Sequence, residues 1–74
     1  MNKTIEMFAR RYIKDILSQY TSRQQDKFKR MYDFKNEYPE LDQLVDNMSS
    51  EKLDWAMSQC ERTVENNKKG KEED

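Results

Sequence analysis

Apolar residues return every third or fourth position, the spacing of one helix face, in four separate runs along the chain. In the first, Ile5, Phe8, Ala9, Tyr12, Ile13, Ile16 and Tyr20 trace a stripe that predicts a helix over about 3–20. Glu6 stands four residues before Arg10 and adds local support. The pattern breaks at Thr21 and Ser22. Both are good N-caps, and Gln24 and Gln25 follow them at capping-box spacing. A second helix is predicted from there to about residue 34, with Gln24, Phe28, Met31 and Tyr32 as its inward stripe.

Residues 36–38 read as a connection. Pro39 suits the first position of a third helix, where its missing N–H costs nothing. Glu37, Glu40 and Asp42 put negative charge at the positive end of that helix. Leu41, Leu44, Val45 and Met48 form its short stripe, and Asn47 is placed to close it. Ser49 or Ser50 then caps a fourth helix, which carries Leu53, Ala56, Met57, Cys60 and Val64 on one face to about residue 67. Gly70, preceded by Lys68 and Lys69, stands where a helix stops, and "GKEED" reads as a frayed tail.

There is no strand pattern and no internal repeat. The expected fold is all-α: a small bundle of three to four short antiparallel helices joined by short loops. Residues 1–67 make a single helical domain and 68–74 a disordered charged tail.

Composition narrows this picture. Of the 74 residues, 34% are apolar and 39% are charged, which approaches the range of unfolded chains. The net charge is only -1 and the apolar positions are periodic, so a folded domain with a small core is the better reading. One cysteine excludes an internal disulfide. Cys60 sits on an apolar stripe and reads as a small buried hydrophobe rather than a reactive thiol. No apolar run is long enough for a signal peptide or a membrane span, which points to a cytoplasmic, intracellular chain. The glycosylation-type triplets at Asn2 and Asn47 are then chance matches.

Little in the sequence points to catalysis. The chain has no histidine, so the usual proton carrier near neutral pH is missing. One glycine excludes a phosphate-cradling loop, and no serine lies on a nucleophile turn. Asp42 and Asp46, one helical turn apart, read as a solvated acidic face before a cation site. The expectation is a protein that is not an enzyme and carries no cofactor and no metal.

Charge distribution is more informative. Residues 1–35 hold nine Lys or Arg and four Asp or Glu; residues 36–74 hold five and eleven, so a near-neutral total hides a dipolar chain. On the second helix Arg23, Lys27 and Arg30 form one stripe, continued by Phe34 at i+11. On the first, Lys3, Arg10 and Lys14 are expected on the face opposite the core. Such a surface can grip an acidic protein or the phosphates of a nucleic acid, with Phe34 stacking on a base. As an ordinary solvated face, it would have Phe34 tucked back over the loop. Asp42 with Asp46, and Glu61 with Glu65, are like-charged pairs one turn apart. A cationic surface of the same molecule or of a second copy would relieve them.

Trp55 is the puzzle. At about 100° per residue it points about 140° away from Cys60, with Gln59 and Arg62 on its side. Three placements are open: a second groove inside the bundle, an anchor for a partner, or simple exposure. Most methionines read as core filling. No family is recognised.

The reading that follows is a small protein-binding module, an adaptor, inhibitor or regulator, acting through Trp55, Gln59 and Arg62 with adjoining charged stripes. A homodimer is expected, since a marginal core gains from a shared interface. The rival is a nucleic-acid binder using Arg23, Lys27, Arg30 and Phe34. Its Thr21–Gln25 segment would place base-reading residue types at a helix N-terminus, as helix-turn-helix proteins do. A third possibility is an accessory protein of a phage or other mobile element.

Overall fold

Four helices form where the four apolar runs lie. The computed structural model describes residues 2–68. The expected helix stop at Gly70 and the charged tail around it lie outside the described residues, apart from Lys68, which belongs to the last helix.

Helix α1 (Lys3–Leu17) starts at Asn2, whose side-chain oxygen accepts the Ile5 N–H at 2.9 Å. It ends sooner than its stripe predicts. The Gln19 and Tyr20 N–H groups reach back only three residues, to the Ile16 and Leu17 carbonyls, tightening the chain into a turn that swings Tyr20 inward. Helix α2 (Ser22–Tyr32) opens with the expected capping box: Thr21 Oγ1 accepts from the Gln24 N–H at 3.1 Å, and the Gln24 side-chain oxygen accepts from the Thr21 N–H at 3.0 Å. Gln25 donates to the Leu17 carbonyl at 2.8 Å, so the start of α2 also closes the end of α1.

Helix α2 stops at Tyr32 because the next side chain, Asp33, turns back on the chain. Its buried carboxylate accepts the Glu37 N–H at 2.8 Å and the Tyr38 N–H at 2.9 Å, with Lys29 Nζ 3.8 Å away. Asn36 sits at φ 56, a left-handed position that asparagine tolerates. Tyr38 is thus tied to the connection. Glu40 remains extended, and helix α3 (Leu41–Asp46) begins two residues after Pro39, not at it. Asn47 ends α3 as expected. Ser49 caps helix α4 (Ser50–Lys68), its hydroxyl accepting the Lys52 N–H at 3.2 Å.

The helices form a small all-α bundle, with no strand among the described residues. Helix α1 packs most extensively on α4. Glu6, near the start of α1, meets Ser50 at the start of α4, and Gln24, just beyond α1, meets Asn67 near the end of α4. The two helices therefore run in the same direction. Helix α3 runs back along α1, from the neighbourhood of Leu17 to Lys14 and Arg10.

Ile13, Phe28, Val45, Leu53 and Cys60 are the largest fully buried side chains, and they come from all four helices. Each apolar side chain of this size contributes ~1.5–3 kcal/mol on full burial. Leu17 and Thr63 are buried too, although neither lies on the predicted stripes. Ile5, Phe8 and Met31 are on those stripes and remain exposed. The first buried residue of α1 is Ala9, because α4 begins only level with Glu6.

Candidate interaction surface

The fold sorts the basic residues into two groups. Arg10 and Lys14 do not stand opposite the core as expected. Helix α3 and the Met48 backbone pack against that flank of α1. Arg10 donates to the Met48 carbonyl at 3.1 Å and to Glu6 at 3.3 Å; Lys14 pairs with Asp46 at 2.7 Å. Ser50 Oγ donates to the other Glu6 oxygen at 2.5 Å. That hydroxyl, with Arg10, holds the Glu6 carboxyl below its ordinary range against the opposing effect of burial. These residues latch α1 to α3 and to the start of α4. Lys3 stands apart from them, exposed at the helix start.

The second group stays outside. Arg23, Lys27 and Arg30 line one open groove on α2 with Met31, which is exposed. Lys27 and Arg30 have no ion pair among the described residues. Phe34 is not tucked over the loop: it is 79% exposed, with the Lys35 ammonium 5.9 Å from its ring centre.

A narrow crevice joins this stripe to α4. Lys27 and Met31 line its α2 side, Gln59 and Thr63 its α4 side, and Tyr20 its floor. Gln59 is half-buried there, while Trp55 and Arg62, one turn to either side of it, extend the same edge of α4 outward. Trp55 is 56% exposed, so the placement in a second groove of the bundle is ruled out. The sequence-predicted trio Trp55, Gln59 and Arg62 thus adjoins the basic stripe, through Gln59.

Under the crevice lies a buried polar cluster. Burial pushes the Tyr20 hydroxyl and the Cys60 thiol above their ordinary values. The Tyr20 hydroxyl lies near Thr63 and Cys60 but makes no hydrogen bond of normal geometry; Thr63 donates instead to the Gln59 carbonyl at 3.0 Å. Phe28 lies between Tyr20, which it meets edge-to-face at a ring distance of 6.4 Å, and Tyr32, tilted against it at 4.6 Å. Burial raises Tyr32 as well, with Cys60 adding to the shift and Arg62 opposing it, which brings Arg62 into range of α2. Cys60 is completely buried, as its stripe implies.

Gln24 and Gln25, the residue types suited to reading base edges, are both engaged. Gln24 is buried in its capping box and donates to Asn67 at 3.2 Å; Gln25 holds the Leu17 carbonyl. Asp46 of the Asp42–Asp46 pair is taken by Lys14, and no cluster of three metal-ligating side chains occurs among the described residues. Among them, no helix is long and apolar enough to cross a membrane. Asp33 was not foreseen as an organising residue. An acidic residue at a helix end with asparagine three residues on is a turn signature that would have found it.

The fold and this surface define a class: a small helical domain with an indole and unpaired cations on one side. Nothing narrows it further by likeness, since no family model, curated protein or solved structure matches the chain.

Proposed function

We propose that the chain is a non-enzymatic protein-binding module, an adaptor, inhibitor or regulator. It docks a carboxylate-bearing protein surface on the α2–α4 face. The observation that carries this reading is the exposure of Trp55 on the edge of α4 that borders Lys27, which shares an open α2 groove with Arg30. Trp and Arg are the side chains that most often dominate binding energy, and a rim of one charge selects partners of the other. A cytoplasmic setting belongs to this reading, and the buried free thiol of Cys60 fits a reducing compartment.

Capture from the native host by wild type, Trp55→Ala and Lys27→Glu tests it. A protein held by wild type, lost by both variants and released by added salt is the expected result. Equal capture by all three chains ends the proposal.

A second reading is favoured by Phe34, which stands exposed at the end of the Lys27–Arg30 stripe. With Gln24 and Gln25 engaged, nucleic-acid binding here would be sequence-tolerant, using phosphates and one stacking ring. Binding to single-stranded DNA that falls steeply with salt, and less steeply in Lys27→Ala/Arg30→Ala, would support it; no binding at low salt removes it.

A further inference from the structure

We infer that a second copy of this chain is an occupant of the α2–α4 face, docking head to tail through the N-terminal half of its α1. This rests on the reading of that face as a protein-docking surface and names one partner for it.

The basis is a second apolar strip that the fold leaves uncovered. Ile5 and Phe8 are 51% and 64% exposed, and Tyr12 is half-buried. The three lie at i, i+3 and i+7, one line along α1. Tyr12 packs against the core from α1, the helix that lies most extensively on α4, and burial, then the nearby negative charge of Glu61 on α4, raises its hydroxyl. Asp54, Met57 and Glu61 follow that edge at the same spacing. Asp15 continues the border one turn beyond Tyr12. The acids Asp15, Asp54 and Glu61 outnumber Arg11 and Lys68, the bases that share this side. The strip is therefore apolar with an acidic border.

The α2–α4 face is its counterpart. Met31 and Trp55 are exposed there between Lys27, Arg30 and Arg62. Gln59 and Glu61 lie about 160° apart around α4, so the two faces occupy opposite edges of one helix. Each face carries the charge the other lacks, and each has large side chains with no cover. Like faces would bring like charges together. Unlike faces join apolar to apolar and acid to base. Such a contact leaves one face of each kind open at the ends of the assembly, so it extends from copy to copy instead of closing as a two-fold dimer.

Sedimentation equilibrium at hundreds of micromolar tests this, using wild type, Phe8→Asp and Met31→Asp. Circular dichroism establishes that each variant remains helical; both positions are exposed. Ile5→Lys with Lys27→Glu serve as a second pair if either variant fails to fold. Wild type is expected to gain average mass with concentration, past two chains. Each variant alone is expected to remain a single chain, and an equimolar mixture to form a species of two chains and nothing larger. Each variant then supplies the face its partner has lost.

Wild type that stays a single chain, or a variant that associates by itself as wild type does, overturns the inference. Phe8→Asp keeps the α2–α4 face intact, so its capture of a host protein tests the docking reading separately. Capture retained in a chain that never self-associates leaves that reading standing and this inference refuted.

Discussion

Two basic residues of α1 and two of α2 have opposite fates. Arg10 and Lys14 meet a carbonyl and two carboxylates, because α3 lies along their flank of α1. Lys27 and Arg30 are exposed, meet no carboxylate from a neighbouring helix, and have no ion pair among the described residues. As charges in a sequence the two stripes look alike. What separates them is the neighbour each flank receives. A cation with its acceptors in place belongs to the fold, while a cation without them is free to meet a partner.

Arg10→Ala is the strongest way to break this comparison. It strands the half-buried Met48 carbonyl and removes the bridge from α1 to the start of α4, and is expected to lower unfolding free energy by about 1–3 kcal/mol. Urea denaturation measures this. A change no larger than that of Lys27→Ala would mean that Arg10 is as dispensable to the fold as Lys27.

Acid sharpens the comparison within α2, where Lys29 is held and its neighbours are not. Burial alone would raise the Asp33 carboxyl, but the Tyr38 and Glu37 N–H groups, with Lys29, bring it below its ordinary 3.8. The folded chain thus binds this proton less readily than the unfolded one. The contribution of Asp33 is complete above the ordinary value and is lost as pH falls through the lower folded value. Stability followed against pH should drop below about pH 4, and Asp33→Asn should flatten that part of the profile. An unchanged profile in the variant would show that Asp33 does not anchor the connection.

The smallest effects come from the cations most open to solvent. Lys14→Ala should cost at most about 1 kcal/mol, fading with salt, because its pair with Asp46 is largely solvated. Lys27→Ala/Arg30→Ala should stay within about 0.5 kcal/mol of wild type while losing the captured partner. If the double variant destabilises the fold more than Lys14→Ala does, the division between held and free cations is wrong.

Local signals were legible and distant ones were not. The Thr21–Gln24 capping box, the Ser49 cap and the Asn47 close each depend on residues within a few positions, so the chain itself displays them. The stripes on α1 and α2 reveal an apolar face but not how far a neighbour covers it. Ile5, Phe8 and Met31 consequently looked like core and are not. Pro39 was misplaced because Asp33 holds the chain in a turn through Tyr38, and that turn depends on where α2 stops. The trio on α4 was found as a face by helical spacing alone. Its junction with Lys27 and Met31 required knowing that α2 lies beside α4.

The side-by-side, same-direction packing of α1 and α4 also governs when this chain acquires a shape during synthesis. Ile13 of α1 and Leu53, Ala56 and Cys60 of α4 are completely buried in one core, yet some forty residues separate them along the sequence. A nascent chain emerging from the ribosome with only its first three helices lacks the surface on which α1 comes to rest. Its folding waits for α4, so a halt in translation before that helix leaves a fragment exposed to proteases and chaperones.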